Sequence, residues 1–154
     1  MFAQLSFHLI GPLAEGSALA AHPRVRCEGA RAHDRLAAAV AGDACLVVPY
    51  ALTERVRSAD SMKLYDYVNL GKPIISVWYP EIERFRPFVE FYRTPEEFIS
   101  VLRRLITTGF PRKYTEEQRL GFLADNSWDK RAEQVSAVLT SVLTQHCNAP
   151  SCDD

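Results

Sequence analysis

Ser61, Lys63 and Asp66 stand within two turns of one another in the stretch SADSMKLYDYVNLGKPIISVWYP, which runs from Ser58 to Pro80. A lysine in the first turn of a helix faces the positive end of the helix dipole and is mildly misplaced there unless an anion joins it. A diphosphate arriving at the backbone N–H groups of Ser61, Met62 and Lys63 gains the dipole, the amide donors and the ammonium together. Asp66, three residues beyond Lys63 on the same helix edge, is placed to accept both hydroxyls of a ribose. The plainer alternative is a solvated Lys63 paired with Asp66 at i+3, worth only about 0.2–0.5 kcal/mol. Spacing alone leaves both open.

The elements that must hold these residues are legible around them. Asp60 or Ser61 caps the helix; Met62, Tyr65 and Val68 recur at three-residue steps as a narrow apolar face; Gly71 sits where a left-handed C-cap is wanted before Lys72 and Pro73. Runs rich in apolar and β-forming residues bracket this helix. QLSFHLIG (4–11), RVRCEG (24–29), ACLVVPY (44–50) and PIISVWY (73–79) read as strands, with a weaker fifth in FVEFY (88–92).

Between and after the strands come helix signals. HDRLAAAVAG reads as an Ala-rich helix closed by Gly42. Thr94, Pro95 and Glu97 make a capping box with proline at the first helical position, followed by the stripe Phe98, Val101, Leu102 and Leu105; Thr115 and Gln118 repeat the device. NSWDKRAEQVSAVLTSVLTQ places Trp128, Ala132, Val135, Leu139 and Val142 on one face of a long helix, with Asn126 or Ser127 as cap and Trp128 expected to be buried.

Strands alternating with helices imply an α/β fold: a single Rossmann-like open parallel sheet with helices on both faces, spanning residues 1–146, followed by a tail at 147–154. In such sheets ligands sit beyond the carboxyl ends of the strands, which directs attention to the loops after Gly11, Gly29 and Pro49. GPLAEGSA after the first strand lacks the GxGxxG pattern of a dinucleotide site, so an NAD enzyme, with Glu28 as its acidic residue, is a weaker alternative.

Composition narrows the classes further. The 154 residues are 47% apolar and 24% charged with a net charge of −1, ordinary for a folded soluble domain and without the basic field that holds a nucleic acid backbone. No apolar run approaches the roughly 20 residues of a membrane span, and MFAQLSFHLIGP has no charged leader, so a cytoplasmic location is expected. Cys27 and Cys45 lie in strand-like runs and Cys147 and Cys152 in a polar tail; all four are expected to be reduced. His8 reads as a satisfied strand residue, and no HxxxH, CxxC or carboxylate cluster suggests a metal.

SMKLYDYVNLGKPIIS resembles the signature KLYEYLAAGKPVV of the C-terminal, donor-binding half of GT-B glycosyltransferases. FHLIG, EGARAHDRL, ACLVVPYA, ADSMKLYDY and NSWDKRAEQV follow in the order and near the spacing of that domain, covering roughly residues 5 to 140, and the motifs look most like the xanthan-type exopolysaccharide glucuronosyltransferases. The resemblance implies one half of a GT-B fold that binds a nucleoside diphosphate sugar, UDP-linked by preference, without a further cofactor. It implies transfer to a polysaccharide or lipid-linked acceptor at the inner face of the plasma membrane. It places Lys63 on the donor phosphates with Ser61 and Met62 beside it, Asp66 on the ribose, Tyr50 along the nucleotide site, and Ala30 and Arg31 on the loop that meets the base.

Two departures stand out: Ser58 occupies the position where many family members carry the first of two Glu residues, and Asp66 is one methylene shorter than the usual Glu. The acceptor-binding half, which supplies the general base in inverting members, has no counterpart in this sequence. The chain is therefore expected to be a donor half, inactive alone, that works with a separate acceptor domain or subunit. A non-catalytic nucleotide-binding or partner-docking domain remains the other alternative.

Overall fold

The computed structural model describes residues 5–13 and 17–147. It is a mixed α/β structure in which the chain forms two compact units, Met1–Ala44 and Cys45–Asp154. Every strand pairing in both is parallel.

In the first unit, β1 (Phe7–Ile10) pairs with β2 (Val25–Glu28), with Phe7 opposite Val25 and Ile10 opposite Glu28. Gly11 ends β1 at φ +136°, a conformation that side-chain-bearing residues rarely adopt, and its N–H donates to Glu28 O at 3.1 Å. The Ala-rich segment is shorter than its composition suggests. A 3₁₀ turn at His33–Arg35 leads into a single α-turn, α1 (Leu36–Ala39), which ends at Val40 rather than Gly42. Four residues are far below the length at which helix propensity sustains itself, and alanines offer little side-chain area to pack.

His8, expected to be a satisfied strand residue, is one. Its Nδ1 lies 3.1 Å from Asp43 Oδ2, and its Nε2 lies 3.1 Å from Arg26 Nη2 and 3.3 Å from Glu28 Oε1.

The second unit is built on a three-stranded sheet in the order β3 (Leu46–Val48), β4 (Ile74–Val77), β5 (Val89–Tyr92). The strands expected in one sheet are thus found in two. All four residues of the central β4 are buried, which is why IISV reads as a continuous rather than an alternating run. Ser76, fully buried among them, satisfies its hydroxyl on Val77 O at 3.0 Å.

Helix α2 (Glu54–Arg57), which periodicity did not reveal, is one turn capped by Thr53, whose side chain accepts from Val56 N. Helix α3 (Met62–Leu70) ends at Gly71 with φ +67°, the left-handed cap expected there. Its buried face is Leu64 and Val68, flanked by half-buried Tyr65, not the Met62–Tyr65–Val68 line; Met62 is half exposed. The i, i+4 step from Leu64 to Val68 keeps both over the sheet, while Met62 in the first turn lies outside the core. Full burial of such side chains stabilises by about 1.5–3 kcal/mol each.

A 3₁₀ segment, Pro80–Phe85, buries Ile82 and Phe85 and leads to β5. Helix α4 (Pro95–Thr108) and helix α5 (Glu116–Asp125) start where their caps predict. Thr115 and Gln118 bond each other's backbone in both directions, whereas the box expected at Thr94 is half formed: Thr94 accepts from Glu97 N, and Glu97 Oε2 accepts from Arg93 N at 2.6 Å instead of from Thr94 N. Leu102 and Leu105 of the α4 stripe are buried and Phe98 and Val101 partly so. From α5, Arg119 Nη1 donates to Asn69 O at 2.7 Å, fixing the carboxyl end of α3.

Helix α6 (Trp128–Cys147) is as long as its periodicity implies. The apolar stripe is nevertheless on the surface, and Trp128, expected to be buried, is 72% exposed. Among the described residues no helix is long and apolar enough to cross a membrane. Among the described residues Cys27 is a free, exposed thiol and Cys45 is half-buried, and residues 148–154 of the expected tail lie outside the described residues.

Candidate functional site

In a parallel βαβ arrangement the helix that follows a strand begins at the strand's carboxyl edge. β3 and α3 do this, so the loop after Val48 and the first turn of α3 converge at the same edge of the sheet. Tyr50 comes from that loop and Lys63 from that turn, with Lys63 Nζ 5.3 Å from the centroid of the Tyr50 ring. An ammonium over a tyrosine face is held by the ring quadrupole.

Ser61 is the N-cap of α3, yet its side chain makes no capping bond. It is 6% exposed, and its Oγ has no hydrogen-bond partner. Oγ lies beside the Tyr79 hydroxyl without completing a bond of normal geometry; burial pushes that hydroxyl above its ordinary value, and Ser61 pulls it down again only in part. Leu64 N donates to Ser61 O at 3.0 Å, and the non-capping Ser61 side chain leaves the N–H groups of Met62 and Lys63 and the dipole for something other than itself. The site therefore offers amide donors, a buried hydroxyl and an ammonium on a helix end. That set suits a phosphate-bearing ligand.

Met62 lies on the same turn, half exposed, and Asp66 is partly buried one turn deeper. Tyr50, Ser61, Met62, Lys63 and Asp66 are thus all in the second unit, on one loop and one helix. Ala30 and Arg31 belong to the first unit, on the exposed loop after β2. There Arg31 donates through Nε and Nη2 to Glu28 Oε2 at 3.1 and 2.8 Å, and Arg26 Nη2 donates to Glu28 Oε1 at 2.7 Å. The bonded Arg31 guanidinium holds the Glu28 carboxyl below its ordinary range. Ser58, at the position of the missing Glu, ends α2 and donates to Glu54 O and Arg55 O.

Sequence reasoning missed the charged network behind Ser61. Asp60 Oδ2 accepts from the Tyr65 hydroxyl at 3.3 Å and from Arg131 Nη2 at 3.5 Å, and Arg84 Nη2 stands 3.6 Å from Asp60 Oδ1. Arg84 Nη1 also donates to the Tyr65 hydroxyl at 3.1 Å, and the Arg131 guanidinium lies 5.1 Å from the Tyr65 ring centroid. This network joins the residue before the cap to the Pro80–Phe85 segment and to α6. Its charged partners, Arg84 and Arg131, lie 24 and 71 residues from Asp60, beyond the reach of any local pattern. Among the described residues no group of three or more His, Cys, Asp or Glu side chains is arranged to hold a metal ion.

No protein-family model, no curated protein and no solved structure matches this chain.

Proposed function

We propose that the chain is the donor-binding half of a GT-B glycosyltransferase, holding a nucleoside diphosphate sugar, UDP-linked by preference, at the start of α3. The observation that carries this reading is the start of α3 itself: a cap serine that is buried and does not cap, with Lys63, two residues on in the same turn, held over Tyr50. The likeness of SMKLYDYVNLGKPIIS to the donor-site signature of that family supports it, as does the all-parallel pairing of the strands.

On this reading the five strands belong to one Rossmann-type half. The diphosphate lies on the N–H groups of Ser61, Met62 and Lys63, with Asp66 on the ribose, Tyr50 along the nucleotide, and Ala30 and Arg31 toward the base. In sugar transfer the leaving nucleotide gains negative charge on its β-phosphate, and Lys63 with the helix end stabilises that charge where it develops. The general base and the acceptor belong to an acceptor-binding domain or subunit, so this half alone binds nucleotide and transfers nothing. The acceptor is a polysaccharide or a lipid-linked saccharide, met at the cytoplasmic face of the membrane.

Calorimetric titration with UDP, GDP, ADP and NAD tests the reading. Loss of one charge-assisted contact costs about 1.5–3 kcal/mol, so Lys63→Ala is expected to weaken UDP binding roughly 10- to 150-fold. Equal UDP affinity in the folded variant removes the assignment of Lys63, and tighter binding of NAD than of UDP moves the chain to another enzyme class.

A further inference from the structure

Trp128, Ala132, Val135, Leu139 and Val142 follow one another along α6 at steps of four, three, four and three residues, the 3.5-residue repeat of a coiled-coil seam. Val138 and Leu143 widen the stripe on either side. Val135, Val138, Leu139 and Leu143 are between 57% and 64% exposed, so the unit they belong to leaves most of this face uncovered. Charge is confined to the start of the helix: Asp129, Lys130, Arg131 and Glu133 precede an uncharged run from Gln134 to Cys147. Arg131 is already engaged with Asp60 and Tyr65 of its own chain. Whatever covers the seam must be apolar and nearly uncharged along its length, because a charged group buried there would find no counter-charge.

The seam itself has that chemistry. With Trp128, Val135, Val138, Leu139, Val142 and Leu143 between 45% and 72% exposed, two copies facing each other along this stripe approach the about 1,200 Å² at which specific interfaces begin. We propose that α6 pairs with α6 of a second copy, the two helices running antiparallel about a two-fold axis. Centred midway between Val135 and Leu139, the pairing sets Val135 against Leu139 of the other copy and small Ala132 against the larger Val142. Antiparallel helices align their dipoles favourably, and each charged first turn then lies beside the uncharged end of the other helix, so like charges stay apart. A parallel pairing would bring the two charged turns together.

Sedimentation velocity of the full chain across roughly micromolar to hundred-micromolar concentration, the range a weak to moderate interface of this size occupies, gives the first readout. A species of twice the chain mass is expected to rise with concentration, and Leu139→Asp is expected to remain monomeric throughout with unchanged circular dichroism. Orientation is read by replacing the four native cysteines with serine and oxidising a mixture of Val135→Cys and Leu139→Cys chains. The mixed disulfide dimer is expected to dominate over either self-linked dimer. A wild-type chain monomeric at the highest concentration, a dimer that survives Leu139→Asp, or preferential self-linking of Val135→Cys would each overturn the proposal.

Discussion

The Lys63 ammonium stands 5.3 Å from the centroid of the Tyr50 ring, joining the loop after β3 to the first turn of α3. Neither end of this contact is free to choose its place. Tyr50 follows Pro49 at the end of a buried strand, and α3 is fixed by Leu64 and Val68 in the core and by Arg119 on Asn69 O. A flexible lysine is thereby held at the helix start before any ligand arrives. That lowers the entropy lost on binding an anion.

Tyr50→Leu tests that holding role. A partly exposed cation–π contact is worth about 0.5–1 kcal/mol, so the variant is expected to bind UDP about 2- to 5-fold more weakly. In a Lys63→Ala background the same substitution is expected to cost less, because the interaction is already gone. Strictly additive losses in a calorimetric double-mutant cycle would show that the two residues act independently.

Behind the cap, Asp60 is the acceptor on which Tyr65, Arg84 and Arg131 converge. The carboxylate and both guanidinium groups are each 31–43% exposed, so solvent screens much of the attraction. Asp60→Ala is expected to lower stability by about 1 kcal/mol, read as a shift in the urea midpoint with an unchanged slope. Tyr65→Phe, which keeps the ring packed at 4.7 Å from Phe85 and removes only the hydroxyl, is expected to cost less. Midpoints that do not move would mean that the network follows the packing of α6 and does not hold it.

Much of this architecture was legible because its signals are local. Gly71, Thr94, Thr115 and Gln118 mark helix ends through bonds to neighbours three or four residues away, and the structure places those ends where the residue types predict. Ser61 was legible as the opening residue of α3 from its type alone, although its side chain makes no capping bond. What escaped depends on distance in sequence: the Asp60 network, the division of the strands between two sheets, and the surface position of Trp128. A 3.5-residue stripe predicts a face that wants covering, and it says nothing of whether the cover lies in the same chain. The Ala-rich segment failed differently, since propensity without apolar area to pack leaves a single turn.

Thr115 reaches the site indirectly. It opens α5 with a reciprocal capping box, and α5 carries Arg119, whose guanidinium bonds Asn69 O at the end of α3. Thr115→Ala is expected to cost about 1 kcal/mol of stability, and Thr115→Ser much less, because serine keeps the accepting oxygen. Hydrogen exchange is expected to rise in the first turn of α5 and, through Arg119, at the carboxyl end of α3. Exchange confined to α5 would show that Arg119 does not couple the two helices.

Glu83, in the 3₁₀ segment that follows β4, provides a pH readout. Arg86 donates to both its carboxylate oxygens and the Trp78 indole N–H donates to Oε2 at 2.6 Å; these bonds, Arg86 first, hold the carboxyl down to about 2. A carboxyl lower in the folded state than its ordinary 4.5 stabilises the fold above that value, and the contribution is lost as pH falls from about 4.5 to about 2. Glu83→Gln is therefore expected to be less stable than the wild type at neutral pH and to approach it as pH nears 2. Urea midpoints measured between those limits give the comparison. Trp78 supplies an independent signal, because protonation of Glu83 weakens the bond to its indole. In a Trp128→Phe background, which removes the only other tryptophan, Trp78 fluorescence is expected to titrate near pH 2, and to lose that step in Glu83→Gln. A wild-type step near the ordinary carboxyl value would show that Arg86 and Trp78 do not hold Glu83 in solution.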